Sequence, residues 1–158
     1  MLQLISQSIE PADDSLKVVR LVVERLKLAK RLWRGMAEDG SEFGFELAYP
    51  LKPGATFWQN ETTRYVIEQK SESVLAISLA VAPSAAAGIG WAVGNLHMEL
   101  QAEADRLLAV DDPAVRQLLG RIQIPFTATT AVFRPGRFVR GETKTKTSAH
   151  ELGPSHQH

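Results

Sequence analysis

Gly94-Asn95-Leu96-His97 sets a single histidine just after an apolar stretch with helical spacing and just before an alternating segment. The other three histidines, His150, His156 and His158, fall within the last nine residues of the chain, in a polar tail. Imidazole is a ligand for borderline transition metals, and imidazoles on a polar arm can complete a site anchored elsewhere. His97 is therefore the candidate metal anchor, with His150, His156 and His158 as candidate supplementary ligands. Asp111 and Asp112 could add carboxylate oxygens, but Asp112-Pro113 reads as an N-cap followed by the first helical position, and that role suffices. Met98 does not extend His97 into a soft copper site, because consecutive residues of a strand point to opposite faces.

Composition narrows what these residues can do. The chain has 158 residues, 44% of them hydrophobic, enough for one sizeable core or two small ones in a globular protein. Lysine plus arginine and aspartate plus glutamate both number 18, so no net field draws nucleic acid or an anionic membrane, and neither is expected as a partner. The absence of cysteine removes disulfides, thiolate metal sites and a thiol nucleophile. The N-terminus lacks a basic region followed by a long apolar run, and the apolar stretch from Val74 to Ala82 is too short to span a bilayer, which leaves the cytoplasm as the expected location. His97 has no nucleophile-elbow sequence beside it, so the chain is not expected to be an enzyme.

Two periodicities divide the chain. Residues 1–71 read as a β-rich unit. Trp33, Gly35 and Ala37 alternate with polar partners, Asp39-Gly40 supplies a turn, and Phe43, Phe45 and Leu47 resume the alternation. Pro53-Gly54 breaks the chain before a second pair, Ala55 to Gln59 and Arg64 to Gln69, and the β-branched runs Leu2 to Ile9 and Val18 to Val23 add strands. A small antiparallel β-domain is the expected result. Over residues 72–138 the pattern is a buried strand from Val74 to Val81, then a helix opened by Pro83-Ser84, with Gly94 near its end. A strand from His97 to Gln101 and another from Arg106 to Val110 follow. Next comes a helix from Pro113 with Val115, Leu118, Leu119 and Ile122 as its buried stripe, and a last strand from Thr127 to Phe133. This β-α-β-β-α-β order is that of a ferredoxin-like domain, giving an α+β protein. Residues 139–158 are too polar to fold alone and are expected to be a disordered tail.

The same residues carry a family resemblance. The Ala37-Glu38-Asp39-Gly40 hairpin with Phe43-Gly44-Phe45-Glu46-Leu47, then Arg64-Tyr65-Val66-Ile67, then Gly94-Asn95-Leu96-His97 followed by Gln101, resemble the urease accessory protein UreE, a family of nickel metallochaperones. The resemblance covers the whole chain, and the last motif discriminates best. It implies a homodimer in which His97 from both subunits holds one Ni(II). The metal would then be delivered to apo-urease through the urease maturation GTPase. The ligands alone do not separate Ni(II) from Zn(II) or Cu(II), so the metal's identity comes from the resemblance. Two departures stand out: Leu96 replaces an arginine common in the family, and no histidine follows near Leu108 to Asp112, where some members carry auxiliary sites. The alternative reading is a protein-interaction module whose β-domain binds a peptide segment and whose metal site is vestigial.

Overall fold

The computed structural model describes residues 2–138, so the expected tail and its histidines, His150, His156 and His158, lie outside the described residues. The chain is mixed α+β and dominated by sheet. It forms two compact units, one of Met1–Ser73 with Thr130–Phe133, the other of Val74–Thr129 with the segment from Arg134.

In the first unit the strands are β1 (Gln3–Ile5), β2 (Lys17–Val23), β3 (Leu32–Met36), β4 (Glu42–Glu46), β5 (Thr56–Gln59) and β6 (Thr63–Gln69). A four-residue helix, α1 (Arg25–Leu28), joins β2 to β3. The β3–β4 hairpin turns where sequence placed it, with Gly40 at a φ of 85° that a side chain would strain. Asn60 turns the chain between β5 and β6, its side-chain oxygen accepting from the Thr62 and Thr63 amides at 2.9 and 2.8 Å.

The pairing of this unit departs from the antiparallel expectation. It forms two three-stranded sheets, β1-β4-β3 and β2-β6-β5, and β1 runs parallel to β4 as β2 does to β6. Alternation fixes which face a residue takes but not the direction of its neighbour, and β1 and β2 are far enough in sequence from their partners for parallel pairing. The sheets share one core. Trp33 stacks on Phe45 with ring centroids 3.9 Å apart, and Phe57 meets the edges of Phe43 and Phe45 at 4.9 and 5.2 Å.

The second unit is built on β7 (Glu72–Ser78), α2 (Pro83–Asn95), β8 (Leu100–Ala102), β9 (Arg106–Val110), α3 (Pro113–Arg121) and β10 (Thr127–Ala131), the first two residues of β7 and the last two of β10 being grouped with the first unit. Its sheet runs β10-β7-β9-β8, with β9 antiparallel to both β7 and β8. Leu75, Ile77, Leu107 and Ala109 share a buried cluster with Ile89 and Val93 of α2 and Val115, Leu118 and Leu119 of α3. Both helices therefore bury their stripes on the sheet face that carries those four strand residues. Asp112 caps α3 as expected, its carboxylate accepting from the Ala114 amide at 2.8 Å, and Pro113 follows as the first helical residue. Ile122 is not part of the buried stripe. It ends the helix as its C-cap and is 40% exposed, because the turn beyond Leu119 carries it off the packed face.

The hairpin of the first unit carries a pH-sensitive contact. The Tyr65 hydroxyl donates to the Asp39 carboxylate, which holds that carboxyl below its ordinary range and raises the Tyr65 phenol above its own. Because the Asp39 value is depressed in the fold, the stabilisation is present above the unfolded carboxylate value of about 4 and is lost as pH falls through the folded one. The melting-temperature gap between the parent chain and Tyr65→Phe is expected to be widest near neutral pH and to narrow steadily below about pH 4. Thermal melts at several pH values would check this.

Candidate metal centre

The Gly94-Asn95-Leu96-His97 motif forms the last turn of α2 and its termination. Ile89 and Val93, four apart, are buried, so the helix presents its opposite side to solvent. At its end the His97 amide donates to the Gly94 carbonyl at 2.9 Å and the Met98 amide to the Val93 carbonyl at 3.4 Å. His97 itself lies at φ 56°, in the left-handed region. These two bonds and that conformation make a Schellman cap in which His97 is the first residue beyond the helix, and Met98, half-buried, packs on the same core as Val93.

One expectation changes here. His97 is not the head of a strand: β8 begins only at Leu100, and the residues between are spent reversing the chain. The alternation of His97-Met98-Glu99-Leu100-Gln101 resembles a strand because a helix stop leaves no periodic trace. Gly94 lies near the helix end, as expected, without taking the left-handed position itself. It stays inside the helix with nothing within 4 Å of where a Cβ would sit, and the histidine takes the place usual for glycine. Histidine is one of the few side chains enriched in that region, although the conformation still costs it about 1 kcal/mol relative to glycine.

The remaining candidates separate cleanly. Asp111 is engaged by Arg116 in a two-pronged pair at 2.7 and 2.9 Å, which holds its carboxyl below the ordinary range, and Asp112 is the α3 cap. Neither carboxylate is left for a metal. Gln101, named with the motif, is buried and structural: its carbonyl accepts from the Arg134 amide at 2.7 Å. Among the described residues no group of three or more histidine, cysteine, aspartate or glutamate side chains comes together to hold an ion. His97 is thus an exposed, single imidazole at a helix end. Sequence reasoning passed over Trp91, which is 72% exposed on α2; its signal was its spacing, two residues from both Ile89 and Val93 and hence on the far side of the helix.

Residues 72–158, more than half the chain, match the family profile described as UreE urease accessory protein, C-terminal domain. The chain belongs to the UreE family. Its relatives include proteins named urease accessory protein UreE from Deinococcus radiodurans, 32% identical over 133 residues that span 80% of this chain and 82% of that one. Another, from Staphylococcus carnosus, is 26% identical over 141 residues, 88% of this chain and 85% of the relative. A third, from Geobacillus kaustophilus, is 30% identical over 101 residues, 63% and 68% of the two chains. UreE is a family of accessory proteins and not of enzymes, as the sequence reading expected. Among the described residues no helix is long and apolar enough to cross a membrane.

The helix stop makes His97 costly to the metal-free fold. His97→Gly is expected to raise the stability of the metal-free protein by a few tenths of a kcal/mol, at most about 0.6, the relief of a left-handed side chain of about 1 kcal/mol less the added freedom of the unfolded chain of about 0.4–1 kcal/mol. His97→Val should lower it. Denaturant unfolding of the three proteins without metal checks both signs.

Proposed function

We propose that this UreE protein is a nickel metallochaperone whose cargo, Ni(II), is held by His97 from each of two subunits across a two-fold axis. It would pass the ion on, through the urease maturation GTPase, for assembly of the urease active site. The observation that carries the reading is the character of α2. The helix has no charged residue, it exposes Trp91 beside Ala87 and Gly88, and it ends at an exposed histidine. A face of small residues around one large aromatic, free of charge, suits close approach of a second copy of the same helix. A two-fold axis near its end would bring the second imidazole that one chain lacks.

Two further observations support a cation at this place. The C-terminal end of a 13-residue helix carries partial negative charge, and no basic side chain in the last turn of α2 offsets it. The β-α-β-β-α-β order and the β10-β7-β9-β8 sheet fit a ferredoxin-like metal-binding domain over residues 72–138, with 1–71 as the β-domain and 139–158 as the tail. His150, His156 and His158 would fill remaining positions. Two imidazoles fixed at an interface and others supplied by an arm give a site that opens readily, which is what a carrier needs and what a closed four-ligand cage lacks. Zn(II) and Cu(II) would compete for the same nitrogens.

Calorimetric titration is expected to give one tightly bound Ni(II) per dimer and to lose that site in His97→Ala. Because each imidazole must shed a proton to bind, affinity should fall steeply below about pH 6. Tight binding that survives in His97→Ala, or a profile flat to about pH 5, would refute the reading. Trp91→Glu tests the interface separately. Sedimentation should show it as a monomer, and it should lose the tight site while keeping its fold.

A further inference from the structure

The edge strand β5 is irregular. Its register with β6 shifts between Thr56 and Trp58, and a bulge of this kind re-aims the side chain that follows it. Phe57 is buried, and Trp58 beside it is half-buried and packs against the same core cluster instead of facing away from it. Trp58 thereby walls an open cavity of about 360 Å³ whose floor is formed by Phe43 and Tyr65. The Trp58 ring stands 6.2 Å from that of Phe43 and 5.4 Å from that of Tyr65, tilted by 54° and 67°. Both floor rings are almost wholly buried, which leaves Trp58 as the ring with an accessible face.

The polar side of this cavity is arranged to accept hydrogen bonds. Tyr65 has a single hydroxyl proton and gives it to Asp39, so in the 3.4 Å contact between the Ser41 and Tyr65 hydroxyls Ser41 is the donor. Both hydroxyl oxygens are left with lone pairs, and the Asp39 charge lies behind them. Glu42 lines the same cavity from the exposed end of β4 and has no ion-pair partner among the described residues. No basic side chain lines the cavity among the described residues. Between Arg34 and Lys52 the chain holds four acidic residues and no basic one, although the protein as a whole is neutral.

We propose that this cavity binds a small organic ammonium ion of the alkylammonium class. Its N–H groups would donate to the Glu42 carboxylate and the Ser41 hydroxyl oxygen, and its carbon chain would lie on the Trp58 face, where indole also attracts the charge. Phosphate-bearing ligands would meet charge of their own sign. A divalent metal ion calls for several oxygen ligands, and only one carboxylate in the cavity lining is unengaged. A neutral sugar could stack on Trp58 but would gain nothing from the local negative charge. The cavity shares no residue with the His97 centre, so either proposal can fail without the other.

The test titrates butylammonium, and butanol as its neutral isostere, into the nitrogen-15-labelled full chain while the indole N–H signals of Trp33, Trp58 and Trp91 are followed by NMR. Butylammonium is expected to move the Trp58 signal saturably, with a Kd on the order of 1 mM, and to leave the Trp91 signal in place. Butanol should bind at least about tenfold more weakly. Glu42→Gln should weaken butylammonium binding about three- to fivefold, whereas Glu46→Gln at the other end of β4 should leave it unchanged. Trp58→Leu, read from the Gly40 and Ser41 amide signals, should lose most of the affinity, and Trp58→Phe, which keeps an aromatic face, should retain part of it. Circular dichroism of each variant separates lost binding from lost fold. Equal shifts with butanol, or unchanged affinity in Glu42→Gln, would overturn the proposal. So would binding of glucose or of calcium at this place in preference to butylammonium.

Discussion

A helix has to stop, and in this protein the residue that stops α2 is also the proposed metal anchor. The left-handed conformation of His97 lets the Met98 amide reach back to Val93, and it lets Met98 return to the core. Without that reversal α2 could not hand the chain to β8, whose pairing with β9 closes one side of the second sheet. The imidazole is consequently held at a fixed backbone position by hydrogen bonds and by a packed neighbour, although the side chain itself is exposed. A glycine would make the same turn with less strain and no ligand. That histidine stands there, in place of glycine, motivates the proposed ligand role.

The surrounding design follows from leaving this end of the helix open. The two aspartates nearest in type to metal ligands are spoken for by Arg116 and by the start of α3, so they do not compete with the imidazole. The helix contributes no charge of its own, and its negative end is left unneutralised. A single histidine on an uncharged, Trp-bearing helix is a poor metal site in one chain and a sound half-site in two. This is why the proposed carrier is argued from symmetry and not from a cluster of ligands.

How much of this could be read from residues alone depends on the kind of signal. Strands with strict alternation, such as those around Phe43 and Tyr65, and the Asp112-Pro113 helix start were legible because period and capping chemistry are local. The directions of β1 and β2 were not, since parallel pairing depends on partners some forty residues away. The conformation of His97 was missed for a different reason. Gly94 marked the end of the helix but not which residue reverses the chain, and backbone hydrogen bonding puts the left-handed residue three positions later. The choice of His97 as the proposed anchor, in contrast, rests on the motif and its family resemblance.

The central claim is that two His97 imidazoles share one ion, and X-ray absorption at the nickel edge of the intact, singly loaded dimer tests it most directly. Comparison of the parent protein with a mixed dimer holding one His97→Gly subunit should show one fewer imidazole around the nickel in the mixed species. A nickel environment identical in the two, with the same number of imidazoles, would contradict the shared site.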